Sequence, residues 1–347
     1  MEEPVPGLRA RFVARTLALL VAVVGLVVAC SSGSSPSPSA ATKLTVGLGY
    51  IPSVQFAAFY RADQAGYYAA EGLSVTFQNE IDQNLIPKVG QGQVDLGLAD
   101  GTSVIPAVSQ GIPIKYVATI YGQFPSVVLT RKDGGADSAA GLRGKKIGIP
   151  GKYGSSWVML QALLASANLK TSDVTVVEYP DFGQATALAQ GAVDAATGFV
   201  NNEPVQLRQS GIDVNVLTVE ASVPLPGPGV IVGGTTLQSK RAAVAGFIRA
   251  TLKAMNEIAA DPSVGVAAAT KAVPDLAKDP STQLAILTAT IAAWRPAGAT
   301  AGGPITGSIE SPGWTKTIAA MDSMGLVAKP VTLADLVDTS FTAPTGS

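Results

Sequence analysis

A five-residue stretch, Gln91-Gly92-Gln93-Val94-Asp95, returns 99 positions later as Gln190-Gly191-Ala192-Val193-Asp194. Four identical positions out of five are a weak signal alone, but both copies follow a helix-like segment and lead into a strand-like one. The elements around the two copies also come in the same order: strand, helix, strand, helix, strand. The repeat therefore predicts an α/β protein with two similar lobes, each built on a mostly parallel sheet flanked by helices.

The flanking elements of each half follow from the alternation of apolar residues and from turn residues. The first half has predicted strands at 44–48, 73–77 and 94–98, and predicted helices at 54–70, at 85–90 and from Asp100 onward. The second half has predicted strands at 146–149, 174–177 and 193–196, and predicted helices at 155–168 and 186–190.

The C-terminal third is mostly helical after one further strand-like run at 229–232. Two helices are predicted near 281–294 and 314–324, after a longer one whose buried face is marked by six residues. Since these helices are expected to wrap lobe 1, the predicted domains are 43–125 with 230–347 for lobe 1 and 126–229 for lobe 2. Two crossings between lobes predict a hinge around a ligand cleft. The six residues are Val244, Phe247, Ile248, Thr251, Leu252 and Met255.

The N-terminus has the pattern of an export signal. Arg9, Arg11 and Arg15 precede an apolar run at 17–29, which is too short to cross a bilayer as a helix. Cys30 follows directly, and its surroundings resemble the bacterial lipobox, in which the cysteine is lipidated. We expect residues 1–29 to be a signal peptide and 30–42 a lipidated cysteine with a flexible tether, so that the protein is exported and anchored to the membrane, facing the extracytoplasmic side. The alternative is an ordinary cleavage site with a cysteine nearby by chance.

Composition excludes several classes of site. The 347 residues contain no histidine and one cysteine, so zinc sites, Ser/His/Asp triads and intrachain disulfides cannot be built. A carboxylate-only metal or hydrolase site remains open, but nothing in the sequence points to a catalytic residue, a metal or a cofactor. A net charge of −1 offers no basic face for nucleic acid.

Candidate ligand-binding residues lie where the predicted strands end, because ligands of open α/β sheets bind at the carboxyl ends of the strands. Tyrosines concentrate there although aromatic residues make up only 6% of the chain, and flat rings could sandwich a flat heterocycle. The alternative is that these tyrosines anchor the lobes structurally. The candidates are Tyr50, Ser53, Gln55, Phe56, Asp82, Asp100, Thr102, Tyr121, Tyr153, Gly154, Ser155, Tyr179, Asn202 and Glu203.

Charge near the same strand ends is mostly acidic, with Lys152 as the one nearby cation. Carboxylates pair with amines or ring N–H groups and repel anions, so the pattern favours a flat, neutral or cationic heteroaromatic ligand. Two structural alternatives stay open: Asp100 could cap its own helix, and Glu203 could be a solvated acid in a first helical turn.

Three stretches resemble a known group of proteins. Residues 49–60, 65–73 and 142–148 are similar to solute-binding proteins that serve ABC importers of thiamine-pyrimidine precursors, riboflavin, sulfonates and nitrate. The resemblance covers most of residues 43–340. It implies the type II periplasmic-binding-protein fold and a monomer that captures a small molecule and delivers it to a permease and its ATPase.

Within this group, Pro52-x-x-Gln55-Phe56, Tyr153-Gly154-Ser155-Ser156 and Asn201-Asn202-Glu203-Pro204 resemble the thiamine-pyrimidine and riboflavin branches more than the sulfonate or nitrate branches. A sulfonate, taurine or nitrate receptor is the alternative among binding proteins. Fungal thiamine-pyrimidine synthases share the fold, but they depend on a cysteine-rich motif and a histidine consumed as substrate. The chain lacks both, which favours binding over catalysis.

Overall fold

A computed structural model describes residue 1 and residues 40–219, 225–300 and 302–342. Cys30, all of the predicted signal peptide except residue 1 and most of the predicted tether lie outside these residues. No helix within the described ranges has both the length and the apolar character needed to cross a membrane.

The described residues form ten β-strands, which belong to two five-stranded sheets. The strands are β1 (Thr42–Gly47), β2 (Leu73–Gln78), β3 (Leu96–Asp100), β4 (Ile114–Thr119), β5 (Ser126–Arg131), β6 (Lys146–Ile149), β7 (Thr175–Glu178), β8 (Ala195–Phe199), β9 (Val214–Leu217) and β10 (Pro228–Gly233).

Twelve α-helices lie in the same ranges and flank the sheets. They are α1 (Ala57–Gln64), α2 (Tyr67–Ala70), α3 (Asp82–Gly90), α4 (Gly101–Ser109), α5 (Gly154–Ser166), α6 (Gln184–Ala189), α7 (Glu203–Gln209), α8 (Gly234–Ala260), α9 (Pro262–Ala272), α10 (Pro280–Ala293), α11 (Ser311–Ser323) and α12 (Leu333–Leu336).

The two sheets have matching strand orders, β2-β1-β3-β10-β4 and β7-β6-β8-β5-β9. In each sheet the first three strands are parallel, while β10 and β5 run antiparallel to both of their neighbours. Each sheet is therefore mixed, with four strands in one direction and a single strand, β10 or β5, in the opposite one. The physical reason is that β5 and β10 are the strands with which the chain enters each sheet from the other one, β5 following β4 and β10 following β9 along the chain.

The repeated pentapeptide forms the same turn in both sheets. Gly92 and Gly191 have φ values of 73° and 72°, a left-handed conformation that glycine adopts without strain. The carboxylate three residues later ties the turn to the first strand: the Thr45 N–H donates to Asp95 Oδ2 at 2.9 Å, and the Lys146 N–H donates to Asp194 Oδ2 at 2.8 Å. The repeat is thus a structural device that joins a helix end to a strand pair.

Each sheet is buried on both faces. Successive strand residues point to opposite sides of a sheet, and here the residues on both sides pack into apolar clusters. In β5, Val128 packs into one apolar cluster with Ile147 and Met159, while Val127 and Leu129 pack into the cluster on the other face. Both faces of the first sheet are covered in the same way, by a cluster that includes α1 and α8 and by another that includes α4 and α11. The α/β, two-lobed fold expected from the sequence is confirmed, with a cleft between the lobes.

Some local features differ from expectation. The helix predicted at 54–70 is a 3₁₀ turn at Val54–Phe56 followed by α1 and α2, because Gly66 takes a left-handed conformation with φ of 73°. Strands β4, β5 and β9 were not predicted. The residue boundaries given above for the two lobes stay a prediction.

Candidate ligand-binding site

A cavity of about 120 Å³ lies between the two sheets, where strand ends from both converge. Residues after β1 and β3 line one side, and residues after β6, β7 and β8 line the other. The lining combines aromatic rings, small residues and a few polar groups: Leu48, Gly49, Tyr50, Gln55, Phe56, Ile81, Leu98, Ala99, Asp100, Tyr121, Pro150, Tyr153, Gly154, Ser155, Ser156, Phe182, Gln184, Gly198, Phe199, Asn202, Glu203 and Pro228.

Ten of the fourteen predicted ligand-binding residues line this cavity. They converge from separate loops because the carboxyl ends of parallel strands meet at one edge of each sheet. The ten are Tyr50, Gln55, Phe56, Asp100, Tyr121, Tyr153, Gly154, Ser155, Asn202 and Glu203.

The other four are not part of the cavity wall. Ser53 caps the 3₁₀ turn, accepting from the Gln55 N–H at 3.2 Å. The Thr102 hydroxyl donates to Asp100 Oδ1, and the half-buried Tyr179 packs against an apolar cluster of the second sheet beside Gly148. Asp82 begins α3, and its side chain lies outside what the structure describes.

Glu203 is the most unusual group in the wall. Only 7% of the residue is exposed, and its Oε2 accepts from the Phe199 N–H at 2.7 Å. Gly198 makes room for it, since a Cβ built there would lie 3.0 Å from Glu203 Cβ and Oε2. Burial raises the pKa of Glu203, and no described Lys or Arg side chain forms an ion pair with it. The predicted alternative of a solvated acid does not hold.

Asp100 has a different role on the opposite side. It caps α4, with Oδ1 accepting from the Ser103 N–H at 3.0 Å and from the Thr102 hydroxyl. The capping interpretation is therefore confirmed for Asp100, although the residue also lines the cavity.

Two aromatic rings meet across the cavity. Tyr50, from the loop after β1, and Phe182, from the loop after β7, pack edge to face with their centroids 4.7 Å apart. Phe182 has a φ of 60°, which a non-glycine residue adopts only when its surroundings hold it there. Burial, with the negative charge of Glu203 second, raises the pKa of the Tyr50 hydroxyl. The two lobes are thus in direct contact through rings that a ligand would meet.

A buried amide also joins the two sides. Asn201, 1% exposed, follows β8, and its Nδ2 donates to Gln55 Oε1 at 2.9 Å and to Thr290 Oγ1 at 2.8 Å. The same nitrogen lies 3.5 Å from the Tyr121 hydroxyl. These contacts connect the second sheet to the 3₁₀ turn and to α10, beside the cavity.

The described part of the cavity wall contains no Lys or Arg. The Lys152 side chain, which the sequence placed near the site, is 55% exposed and lies 3.8 Å from Glu178. The N-terminus of α5 reaches the wall at Gly154 and Ser155 and has no side-chain cap, so its backbone N–H groups are a source of positive potential there.

Sequence reasoning missed several wall residues. Gln184 is the first residue of α6 and looks from its neighbours like any surface glutamine. Phe199, Pro228 and Ile81 lie at element ends and carry no motif. A signal for Gln184 was its place four positions before a buried leucine in a short helix, but that pattern is too common to single out a site.

Comparison with known proteins identifies the family. Residues 53–264 match the family described as NMT1/THI5 like. The chain belongs to the NMT1/THI5-like family. Among similar members, the riboflavin-binding protein RibY of Chloroflexus aurantiacus is 34% identical over 264 residues, 72% of this chain and 75% of that protein.

Other NMT1/THI5-like relatives are enzymes. The 4-amino-5-hydroxymethyl-2-methylpyrimidine phosphate synthase THI13 of Saccharomyces cerevisiae is 25% identical over 169 residues, about half of each chain. Among solved structures, the alkanesulfonate-binding protein SsuA of Xanthomonas axonopodis pv. citri, bound to MOPS, has a TM-score of 0.69 over 86% of this chain and 99% of that one. At 19% identity it shows the shared fold alone. The relatives thus include a protein named as riboflavin-binding as well as proteins named as synthases.

Proposed function

We propose that the protein is the lipid-anchored, extracytoplasmic receptor of an ABC importer and that it binds a nitrogen heteroaromatic, with riboflavin as the first candidate. One observation carries the ligand class: the cavity wall joins aromatic rings from both lobes with buried carboxyl groups, and its described residues include no Lys or Arg. The relative named riboflavin-binding, at 34% identity, supports the choice of a flavin.

The aromatic rings provide the apolar contact that a flat ligand needs. Tyr50 and Phe182 come from different lobes, and Phe56 and Tyr153 line the same space. A stacked aromatic pair adds about 0.5–1.5 kcal/mol beyond the burial of its surface. Rings on both sides would also make closure of the lobes depend on the ligand, as delivery to a permease requires.

The polar groups of the wall determine which hydrogen-bonding groups the ligand ring needs. Glu203 and Asp100 are hydrogen-bond acceptors when ionised, so they favour ligands with N–H or O–H donors. An anionic sulfonate would face both carboxyl groups, and no Lys or Arg among the described wall residues would offset their charge, although the backbone N–H groups of α5 could bind it. The sulfonate, taurine or nitrate receptor is therefore the weaker proposal.

A thiamine-pyrimidine precursor is the second candidate, and the size of the cavity favours it. The volume is about 120 Å³, and the rings of Tyr50 and Phe182 are already in contact. A single pyrimidine ring fits such a space with little movement, whereas the three fused rings of a flavin require Tyr50 and Phe182 to separate. Both candidates would use the same rings and acceptors.

Titration of the purified protein tests the ligand class. Riboflavin fluorescence should be quenched on binding, and calorimetry with hydroxymethylpyrimidine, its formylamino derivative, thiamine, taurine and nitrate completes the panel. Tight binding of taurine or nitrate without binding of any heterocycle would contradict the proposal. Binding of the pyrimidines but not of riboflavin would select the second candidate.

The anchor and the transport partners form a separate proposal. Cys30 follows an apolar run of signal-peptide length and precedes a stretch rich in serine. Mass spectrometry of the membrane fraction should find a mature chain that begins with a lipid-modified Cys30, and Cys30→Ser should release the protein. Copurification of a permease and an ATPase with the anchored form would support the importer; a soluble mature chain that starts well past Cys30 would contradict the anchor.

A further inference from the structure

Gln184 lies inside the cavity wall with its side chain held in one orientation. The residue is 1% exposed and begins α6. Its Nε2 donates to the backbone carbonyl of Thr197 at 3.2 Å. A carbonyl only accepts hydrogen bonds, so the amide nitrogen must face Thr197 and the amide oxygen must point the other way. Gly148 leaves room for the base of this side chain, because a Cβ there would lie 3.0 Å from Gln184 Cβ.

The amide oxygen of Gln184 is buried and has no hydrogen-bond partner among the described residues. A buried acceptor without a partner costs about 1–3 kcal/mol, so such a group needs a reason in a native protein. Gln184 belongs to the wall of the ligand cavity, together with Glu203. A ligand with an N–H group at this point would give the oxygen the donor that the protein lacks.

We infer that Gln184 determines ligand specificity by accepting a hydrogen bond from a ring N–H, which in a flavin is the imide N3–H. The assignment rests on the proposed function. The flavin ring system has a single N–H at neutral pH, and carbonyl groups flank it on both sides. The uncapped N-terminus of α5 reaches the same wall at Gly154 and offers N–H donors suited to such carbonyls. The Gln184 amide oxygen as acceptor and the α5 backbone N–H groups as donors together complement the N–H and the two carbonyl groups of the flavin imide.

Recognition of the ring N–H by Gln184 is distinct from general burial of the ring. Aromatic contacts and the carboxyl groups would hold many heterocycles, but an amide oxygen in a fixed orientation rejects a ring whose N–H is replaced by a methyl group. The discriminating pair of ligands is therefore riboflavin and N3-methylriboflavin, which share the ring, the side chain and the charge.

A double-mutant cycle between ligand and protein tests this assignment. Wild-type protein should bind N3-methylriboflavin about ten-fold more weakly than riboflavin, and Gln184→Met, of similar shape, should weaken riboflavin by about ten-fold and lose most of the discrimination. Gln190→Met is the matched control, because Gln190 is exposed at the end of the same helix and should leave both affinities unchanged.

The outcomes separate the two proposals. If the loss of affinity from riboflavin to N3-methylriboflavin is equal in wild type and Gln184→Met, it reports a steric clash alone. That result overturns the role of Gln184, while the proposal that the protein binds riboflavin stands. Absence of riboflavin binding to wild type would overturn the flavin ligand and this assignment together. If Gln184→Met does not fold, NMR of ¹⁵N3-labelled riboflavin on the wild-type protein decides: slow exchange of the bound N3–H supports the hydrogen bond, and exchange as fast as in free riboflavin contradicts it.

Discussion

The two sheets of this protein share a framework but differ in the chemistry they present to the cavity. In both, a left-handed glycine and an aspartate of the repeated pentapeptide close the same turn, through Asp95 in one sheet and Asp194 in the other. At the cavity the resemblance ends: Asp100 caps its own helix, whereas Glu203 is buried with backbone partners and forms no ion pair with any Lys or Arg that the structure describes. Fold and ligand chemistry are therefore carried by different residues of the two halves.

The largest expected effect concerns the two carboxylates. Glu203→Gln should weaken binding of the ligand ten-fold or more, because a hydrogen bond to a charged group contributes about 1.5–3 kcal/mol. Asp100→Asn should change affinity less, since Asp100 already accepts from Ser103 and Thr102. Calorimetric titration with riboflavin measures both. An equal loss of affinity in the two variants would mean that both carboxylates contribute equally to ligand binding, and it would contradict the difference drawn between Asp100 and Glu203.

The two copies of the repeat should differ in stability. Asp95 is partly buried and also forms an ion pair with Lys240 at 2.7 Å, whereas Asp194 is exposed. We expect Asp95→Ala to lower the free energy of unfolding by about 1–3 kcal/mol and Asp194→Ala by about 0.5–1.5 kcal/mol. Urea denaturation at pH 7 compares them. Equal losses would show that Lys240 adds nothing to the first turn.

Glu203 should also reduce the stability of the free protein at neutral pH. Burial raises the pKa of Glu203 in the folded protein above its value in the unfolded chain, near 4.5. Below pH 4.5 the buried carboxyl group is neutral and costs no stability. As the pH rises through the folded pKa, the group ionises and the free energy of unfolding falls. Glu203→Gln should therefore increase the free energy of unfolding by about 1 kcal/mol at pH 7 and leave it unchanged at pH 4. Thermal unfolding without ligand checks this. A gain of the same size at both pH values would contradict the assigned cause.

The smallest expected effect separates two tyrosines. Tyr50→Ala should weaken ligand binding several-fold, since Tyr50 lines the cavity and a ring contact contributes about 0.5–1.5 kcal/mol. Tyr179→Ala is the matched variant, because Tyr179 packs half-buried against an apolar cluster of the second sheet, outside the cavity wall, and its loss should affect stability but not affinity. Fluorescence titration distinguishes them; an affinity loss for Tyr179→Ala alone would reverse the assignment.

Much of the fold followed from local patterns, and the gaps have physical causes. Apolar runs between turn residues predicted β6 and its neighbours. These patterns did not predict strand direction, because β5 and β10 enter their sheets from the opposite end and nothing in their own residues indicates this. At the site, Tyr50 and Glu203 follow predicted strands and were found, whereas Gln184 owes its importance to Thr197 and Gly148, which only the folded chain brings to it.

The position of β10 has a consequence for how the protein matures during synthesis. Pro228–Gly233 lies between β3 and β4, so the first sheet has a gap until more than two thirds of the chain has left the ribosome. All five strands of the second sheet lie between Ser126 and Leu217 and can pair without waiting. The second sheet, although it comes later in the sequence, should thus fold before the first. The strands β1 to β4 should remain accessible to chaperones until β10 pairs with β3 and β4.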